Sequence, residues 1–304
     1  MPLDRSTNPA AARVAVVILN YNGKALSERC IRSVLASAYP RKEILLVDNA
    51  STDDSVEYLR NRFPDLVVLE CGQNRGIAVG RNRGFREAVA RGNDYVISLD
   101  NDAHVDVGFI EQLVAVASSD PRIGVVGPKT YWDDGSGLLQ CTGGHITYTQ
   151  NVSCERGSGE IDHGQYDRIE PVDYFPGCGF MAAREVFERL DYLDENFPSG
   201  HDDTDFCMRA ARAGYQVVYV PRAVMWHRGS ATIGVYTPEK KYAEAVCSVR
   251  LVRKHGTFGE SLKYAFFAGF GLIYALAVQT PRGNHRAVFA KARGLWHGLR
   301  APIG

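Results

Sequence analysis

Residues 14–23 read VAVVILNYNG, and this stretch sets the fold class. Val14–Asn20 is an unbroken apolar run, which is typical of a strand buried on both faces of a parallel sheet. Tyr21-Asn22-Gly23 interrupts the run, and residues 25–36 then place apolar side chains at helical spacing. The stretch therefore predicts a buried strand that leads directly into a helix.

The same alternation continues downstream. It predicts strands at residues 43–48 (EILLVD), 66–70 and 95–100 (YVISLD), with helices at 53–62 and 76–91. Strand and helix alternation of this kind predicts an α/β domain with a mostly parallel sheet and flanking helices. Polar residues collect just past the strand ends, so we expect the ligand crevice at the carboxyl edge of the sheet.

Beyond residue 128 the alternation weakens. Residues 133–170 are rich in Gly, Asp and Ser and are typical of a long excursion or a β-hairpin insertion. Regular structure is expected again at residues 173–183, in a helix near 203–213 and in a short strand at 216–220.

Composition and charge exclude several classes of protein for this chain. The chain has 304 residues, 45% hydrophobic and 23% charged, which excludes a disordered, collagen-like or coiled-coil protein. Thirty-five basic and 35 acidic residues balance, so no basic body is available for a nucleic-acid partner. Seven cysteines without a CxxC pair, and a start without an apolar signal-peptide core, predict a reducing, cytoplasmic location.

The C-terminal region has a different character. Residues 264–278 are apolar throughout but number only fifteen, fewer than the ~20 of a spanning helix, so they predict a core helix or an interfacial one. Residues 286–300 form a basic amphipathic helix with Trp296 on its apolar side, which predicts a membrane-surface anchor or, alternatively, a helix docked on the body. From residue 261 onward there are six basic residues and no acidic one. We therefore expect a flexible tail at 1–12, an α/β domain at 13–235 and a helical region at 236–304.

A candidate metal site follows the strand predicted at residues 95–100. Asp100-Asn101-Asp102 follows the strand at 95–100, and two carboxylates one residue apart can coordinate Mg²⁺ or Mn²⁺. The triplet lacks the glycine of a calcium-binding loop. His227 is either a structural histidine or, if it reaches the cation, a third ligand.

Two further segments suit an anionic nucleotide. Asp48 ends the second strand and could either cap the next helix or accept hydrogen bonds from a nucleobase. Residues 74–84 (NRGIAVGRNRG) place glycines and arginines at a helix start, where backbone N–H groups favour anions. This segment is neither GxGxxG nor a Walker loop, which disfavours NAD enzymes and P-loop NTPases.

A dense acidic cluster opens the helix near 203–213. His201-Asp202-Asp203-Thr204-Asp205 contains three carboxylates within four residues. Acidic side chains at a helix N-terminus are favoured by the helix dipole, but three beside a histidine also suit a general base and its electrostatic setting.

Taken together, these segments resemble the family 2 glycosyltransferases, which have the GT-A fold and invert configuration at the transferred sugar. The chain is most similar to bacterial rhamnosyltransferase-type members that build surface polysaccharide. The resemblance covers about residues 13–230 and rests on VILNYNG, VDNASTD, NRGIAVGRNRG, LDND, PGCGFMAAR, DDTDFCMRA and WHRGS in order.

The resemblance implies roles for individual residues. It places the catalytic base at Asp203 beside Asp202, where Asp202 stands in place of the customary Glu. It implies metal ligation by Asp102, Asp100 and His227. Donor binding falls on Asn20, Asn22, Asp48, Asn74, Gly76, Arg81, Asp100 and Asn101, and the acceptor side on Gly177, Cys178 and Asp205.

The implied activity is metal-dependent transfer of a sugar, rhamnose foremost, from a dTDP- or UDP-sugar to a glycan or lipid-linked acceptor. It implies Mg²⁺ or Mn²⁺ as cofactor and peripheral attachment at the inner face of the cell membrane. The 133–170 excursion is expected to help select the acceptor. A sugar-1-phosphate nucleotidylyltransferase and a catalytically silent nucleotide- or glycan-binding module are the alternatives.

Overall fold

The first half of the chain forms the alternating units expected from the sequence. The computed structural model describes residues 12–149, 151–197, 200–229 and 237–301. Its first elements are β1 (Val14–Asn20), α1 (Lys24–Ala36), β2 (Lys42–Asp48), α2 (Ser55–Arg62), β3 (Val67–Glu70), α3 (Ile77–Ala90) and β4 (Tyr95–Asp100). The α/β prediction is confirmed, with element ends shifted by at most two residues.

The second half is less regular. It contains β5 (Ala103–Val105), α4 (Phe109–Ser119), β6 (Ile123–Trp132), β7 (Leu139–Cys141), β8 (Gly144–Ile146), β9 (Ser153–Glu155), β10 (Glu170–Pro171), β11 (Gly179–Ala183), α5 (Arg184–Leu190), α6 (Asp202–Arg212) and β12 (Gln216–His227). β12 is longer than the strand expected at 216–220, because it resumes after an irregularity between Val220 and Val224 and continues to His227. The 133–170 excursion holds β7 to β10, of which β8 and β9 form a separate antiparallel pair.

The strand order explains why the polar strand ends converge. The main sheet runs β10-β12-β6-β11-β4-β1-β2-β3. β1 to β4 are mutually parallel along this path, and β11 lies antiparallel between β4 and β6. Since β11 runs in the opposite direction, its amino end lies at the carboxyl edge of β4, with Gly179 opposite Leu99. The residues just before β11 are thus brought to the end of β4.

Close packing of α3 on the sheet depends on small residues. A Cβ added at Gly84 would lie 2.3 Å from Val17 Cγ1, and one at Gly80 would lie 2.6 Å from Leu19 Cδ1. The helix therefore sits directly on β1, and the β1 side chains Val14 to Ile18 are buried. This packing holds the amino end of α3 at the same edge as the end of β1.

The C-terminal region folds into α7 (Pro238–His255), α8 (Phe258–Gln279) and α9 (His285–Arg300). α7 and α9 pack tightly, since a Cβ at Gly294 would lie 2.5 Å from the Tyr242 carbonyl oxygen. A second apolar cluster joins these helices to the body through Tyr148, Val152 and Phe197. The expected tail at 1–12 and the boundary at 235 fall almost entirely outside the described residues; Ala12, which is described, is buried.

α8 corrects the expectation for residues 264–278. The helix has 22 residues because a Thr257–Glu260 capping box starts it earlier than the apolar run. Within α8 only Tyr264, Ala268, Gly271 and Ala275 are buried, so it is not a core helix. Of the described helices, α8 is the one long and apolar enough to cross a membrane by length and composition.

α9 differs from the single apolar face expected of it. Val288 is buried together with the small residues Ala287, Ala290, Gly294 and Gly298, whereas Phe289, Trp296 and Leu299 are exposed. The apolar side chains therefore divide between docking on α7 and facing outward. Docking and an outward apolar surface, which were alternatives at the level of sequence, coexist in this helix.

Candidate active site

Three side chains meet where β4 and β12 end: Asp100, Asp102 and His227, here named the carboxylate–histidine cluster. β4 ends at Asp100, Asp102 lies in the following turn, and pairing of β5 with β12 sets His227 opposite Ala103. His227 Nε2 lies 3.1 Å from Asp102 Oδ1 and 4.0 Å from Asp100 Oδ2. One ligand atom from each residue lies within 4.8 Å of the others, and this donor set fits a divalent cation.

Gln140 on β7 orients the histidine of this cluster. Its Oε1 lies 2.9 Å from His227 Nδ1, so a proton on Nδ1 directs Nε2 toward the two carboxylates. Burial favours the neutral ring, but Cys178 and Asp102 raise the pKa of His227 well above its usual value. The cluster thus attracts a positive charge, which a proton or a metal cation can supply.

A buried arginine connects the cluster to α6. Arg81 Nη2 donates to Asp100 Oδ1 at 2.7 Å, and Nη1 donates to Asp202 Oδ2 at 3.2 Å. Burial raises the pKa of Asp202 to about 7, a shift that Arg81 opposes and the charge of Asp203 increases. Burial acts in the same direction on Asp100, but Arg81 and His227 hold the pKa of that carboxyl below its usual range. A single guanidinium thus bridges Asp100 at the end of β4 and Asp202 at the start of α6.

Asp203 is the member of the Asp202–Asp203 pair that reaches solvent. Asp202 is 1% exposed, whereas Asp203 is only half-buried. Backbone amides hold the Asp203 carboxylate: Gly177 N–H donates to Oδ2 and Thr204 N–H to Oδ1, each at 2.6 Å. A Cβ at Gly177 would lie 2.1 Å from Arg81 Nη1, so only glycine fits between this arginine and Asp203.

Asn20 is the centre of a buried network under the expected donor side. Its Nδ2 donates to Asp48 Oδ1 at 2.9 Å, and its Oδ1 accepts from Ser27 Oγ at 2.7 Å and Asn101 Nδ2 at 3.3 Å. Asn20 has no exposed surface. Asn20 and Asn101 therefore tie β1, β2, β4 and α1 together and position the edge of the site.

Asp48 shows the capping role considered for it and borders a pocket, while contact with a nucleobase stays a prediction. Its Oδ2 accepts from the Ser51 backbone N–H at 2.9 Å, which caps the turn leading to α2. The residue is 3% exposed yet lines a pocket of about 360 Å³ with Ser51 and Glu57. Asn22 closes the same turn, since its Oδ1 accepts from the Thr52 backbone N–H at 2.7 Å.

The glycine-rich segment begins α3 with a turn whose backbone requires glycine. Gly76 has φ of 102°, which a residue with a side chain rarely adopts, and Asn74 Oδ1 accepts from the Gly76 N–H at 3.1 Å. Asn49 Nδ2 donates to Asn74 Oδ1 at 3.0 Å, while Asn49 Oδ1 is buried and lacks a hydrogen-bond partner within the described ranges. An unpartnered amide oxygen at this edge is a candidate acceptor of a ligand hydrogen bond.

The expected acceptor-side residues separate in the structure. Gly177 borders Asp203, and Cys178 interacts with His227. Asp205 is fully buried and accepts from His255 Nε2 at 2.7 Å and Arg209 Nε at 2.7 Å. That burial does not fit an acceptor contact, because the carboxylate joins α6 to α7 and has no exposed surface.

Two residues of the site were not identified from the sequence. Asn49 lies next to Asp48 in VDNASTD, so its position at a strand end was a usable signal. Gln140 lies in the irregular 133–170 excursion, where no local pattern indicates that its amide meets a histidine 87 residues later.

Comparisons with known proteins agree with this geometry. A family model for glycosyl transferase family 2 matches residues 15–190. An N-acetylglucosaminyl-diphospho-decaprenol L-rhamnosyltransferase of Mycobacterium tuberculosis is 26% identical over 243 residues, covering 72% of this chain and 77% of that protein.

Solved structures support the same fold. The structure of GalNAc-T7 with UDP, GalNAc and Mn²⁺ matches with a TM-score of 0.65 at 18% identity, over 84% of this chain and 50% of that one. The mannosyltransferase PcManGT of Pyrobaculum calidifontis, in complex with GDP-Man and Mn²⁺, matches with a TM-score of 0.58 at 20% identity, over 99% of this chain and 79% of that one. The fold is therefore of the GT-A type.

These findings favour the transferase over the two alternatives, a nucleotidylyltransferase and a silent binding module. The family match spans more than half of the chain and contains β1 to β4, the Asp100–Asp102 turn and the glycine at 177. The chain belongs to glycosyl transferase family 2 and is a glycosyltransferase.

Proposed function

We propose that this glycosyltransferase moves a sugar, with inversion at the anomeric carbon, from a nucleoside diphosphate donor to a hydroxyl of a lipid-linked glycan. The observation that carries the proposal is the arrangement around Arg81. Its guanidinium pairs with Asp100 of the carboxylate–histidine cluster on one side and with Asp202, the neighbour of Asp203, on the other. A leaving-group site and a general base are therefore held beside each other.

On the donor side, Asp100, Asp102 and His227 would hold Mg²⁺ or Mn²⁺. Such a cation neutralises a diphosphate leaving group as a Lewis acid. Asp48 borders the pocket that suits the nucleoside, and Asn49 offers its unpartnered amide oxygen at the same edge. Arg81 keeps Asp100 ionised and ready to ligate.

On the acceptor side, Asp203 accepts the proton of the attacking hydroxyl. The amides of Gly177 and Thr204 fix its carboxylate, and its partial exposure allows a hydroxyl to approach. Asp202 is buried against Arg81 and positions that arginine. General-base assistance of this kind contributes typically ~10²–10⁴-fold to the rate. Because the hydroxyl attacks the sugar directly, no covalent sugar–enzyme intermediate forms.

The relative from Mycobacterium tuberculosis supports a more specific substrate pair. That protein is named as a rhamnosyltransferase that acts on a sugar linked to decaprenol through a diphosphate. We therefore propose a pyrimidine donor, dTDP-rhamnose foremost, and a polyprenyl-diphosphate-linked sugar as acceptor, in the synthesis of a surface polysaccharide.

A lipid-linked acceptor requires the enzyme to work at a bilayer. α8 exposes a row of large apolar side chains, and α9 adds Phe289 and Trp296. From residue 261 onward the sequence contains basic side chains and no acidic ones. Such a surface suits peripheral attachment to an anionic membrane. We propose the inner, cytoplasmic face of the cell membrane as the place of attachment.

Thermal unfolding with dTDP, UDP or GDP, each with and without Mn²⁺, tests this function. A ligand at a hundred times its Kd stabilises the fold by about 2.7 kcal/mol. At roughly 2–4 °C per kcal/mol, the midpoint should rise by several degrees with dTDP or UDP when Mn²⁺ is present.

The matched control separates the metal site from general effects of charge. Asp102→Asn should lose the metal-dependent part of the shift, whereas Glu111→Gln, an exposed acid on α4, should keep it. The proposal fails if no nucleoside diphosphate gives a metal-dependent shift in the unmodified protein.

A further inference from the structure

The C-terminal helices enclose a cavity that the transfer chemistry does not use. It has a volume of about 180 Å³ and lies between α7, α8 and α9. Its polar lining includes two lysines, Lys241 and Lys291, one carboxylate, Glu244, and the hydroxyl groups of Ser248, Tyr264 and Tyr274. Ala268, Gly271 and Ala275, the small residues of the buried α8 stripe, form its apolar wall.

Two lysines against one carboxylate, Glu244, give the lining of this cavity a net positive charge, which favours an anion. Lys241 is paired with Glu244 at 2.8 Å, whereas no carboxylate among the described residues forms an ion pair with Lys291. Burial, and then the charge of Lys241, lower the pKa of Lys291, while Glu244 opposes the shift. An anion in the cavity would stabilise the charged form of Lys291 against both its burial and the repulsion from Lys241.

The cavity adjoins the catalytic end of α6. Ser248, which lines it, has its Oγ 3.0 Å from His201 Nε2. His201 directly precedes Asp202 and Asp203 in sequence and forms the cap of α6. An anion bound beside Ser248 would therefore lie one hydrogen-bonded residue away from the start of the Asp202–Asp203 pair.

The surroundings of the cavity indicate that the anion belongs to a lipid. Its wall is the buried face of α8, and the opposite face of the same helix exposes Phe266, Phe270 and Ile273, each more than 60% accessible. A head group in the cavity would thus be separated from this apolar face by the width of α8, about 10 Å, and its apolar chain would pass beside the helix to reach a bilayer. A free phosphate has no apolar part that could contact this face.

We propose that the cavity between α7, α8 and α9 binds the diphosphate of a polyprenyl-linked acceptor, with Lys291 as its main charged contact. The inference rests on the proposed function and deepens it, because it assigns the acceptor's head group to residues outside the transferase core. Lys241, Ser248 and Tyr264 supply further hydrogen-bond donors to the diphosphate oxygens. The attached sugar would then extend past His201 toward Asp203.

Vesicle co-sedimentation tests the assignment directly. The probes are phosphatidylcholine vesicles that contain decaprenyl diphosphate, and vesicles with phosphatidylglycerol at the same surface charge. The unmodified chain should bind the diphosphate vesicles more tightly than the phosphatidylglycerol vesicles. Lys291→Met should remove this difference, a loss of about 10-fold from one charge-assisted contact. Lys291→Arg should retain most of it.

Lys263→Met is the matched control, because Lys263 is an exposed lysine on α8 outside the cavity lining. Lys263→Met should keep the preference for the diphosphate vesicles, which Lys291→Met should lose. Equal binding to both vesicles by the unmodified chain would show a non-specific basic surface and overturn the inference. An unchanged preference in Lys291→Met would overturn it as well.

The nucleotide assay distinguishes failure of this site from failure of the proposed function. Lys291→Met should keep the Mn²⁺-dependent thermal shift with dTDP or UDP, because the cavity lies apart from the carboxylate–histidine cluster. If the unmodified chain shows the nucleotide-dependent thermal shift but Lys291→Met keeps the vesicle preference, only the assignment of the cavity is rejected. Loss of any nucleotide shift in the unmodified chain rejects the transferase assignment instead.

Discussion

Asp203 is the residue on which the proposed chemistry depends most directly. Asp203→Asn keeps the size of the side chain but removes its ability to accept a proton. We expect turnover to fall by about 10²–10⁴-fold while nucleotide binding persists. Initial rates and the Mn²⁺-dependent thermal shift measure the two separately, with Glu188→Gln on the exposed face of α5 as control. Turnover close to that of the unmodified enzyme would exclude Asp203 as the base.

Gly177 is constrained by its neighbours on both sides. In Gly177→Ala the new Cβ would lie 2.1 Å from Arg81 Nη1, so the guanidinium must move away from Asp100 or Asp202. We expect a loss of stability of about 1–3 kcal/mol, typical of overpacking, together with a large loss of turnover. Urea unfolding and initial rates check this, and Gly259→Ala, where a Cβ meets nothing within 4 Å, should leave both unchanged.

At the scale of elements, the α6–α7 junction depends on a buried carboxylate. Asp205 is bonded to His255, Lys254 and Arg209. Burial disfavours its charge, but these partners lower its pKa to about 2. Removing one member of a buried ion network typically costs about 3–5 kcal/mol, so Asp205→Asn should lower the free energy of unfolding by that amount.

The low pKa of Asp205 also predicts how the stability of the fold changes at acidic pH. Because its pKa is lower in the folded chain than the ordinary 3.8, it stabilises the fold above that value and loses this effect as the pH falls toward 2. Asp205→Asn should therefore show a shallower loss of stability between about pH 5 and pH 2. Denaturant unfolding across this range measures it, and the exposed Asp65→Asn should behave as the unmodified chain.

β7 contributes to the site through one side chain. Gln140 holds His227 by its Nδ1, and loss of such an outer contact typically weakens metal binding by 10–100-fold. Gln140→Leu should raise the Mn²⁺ concentration needed for the nucleotide-dependent thermal shift by about that factor. An unchanged Mn²⁺ requirement would show that His227 is oriented without Gln140. The 133–170 excursion thus reaches the carboxylate–histidine cluster, and its role in selecting the acceptor stays a prediction.

At the scale of the whole molecule, α8 and α9 both expose large apolar side chains, and the sequence from residue 261 onward is basic. Replacing Phe266, Phe270 and Ile273 together with Ser removes apolar side chains that are each more than 60% exposed. Each large side chain contributes about 1.5–3 kcal/mol when buried in lipid, so binding to anionic vesicles should fall by at least 100-fold. Nucleotide-dependent thermal shifts should not change.

Serine replacements at Leu35 and Ile161, exposed apolar residues on other parts of the surface, are the control for this experiment. They should leave vesicle binding intact. Equal losses in both sets would mean that the vesicle interaction does not depend on α8.

Much of the fold could be read from local pattern. Apolar runs of strand length and helical spacing are properties of neighbouring residues, so β1 to β4 and α1 to α3 were predictable within two residues. The position of Asp48, Asp100 and Asp102 at strand ends followed from the same pattern, because parallel strands share one carboxyl edge. The resemblance to a family added the residue roles, which pattern alone left open.

Contacts between distant residues required the folded chain. Arg81 pairs with Asp202 across 121 positions, and Gln140 meets His227 across 87, in segments where no periodicity records a partner. In α9, the packing of α7 determines which apolar residues are buried and which are exposed. Periodicity reports which side of an element is apolar; which neighbour covers that side, and whether any does, depends on packing between elements far apart in sequence.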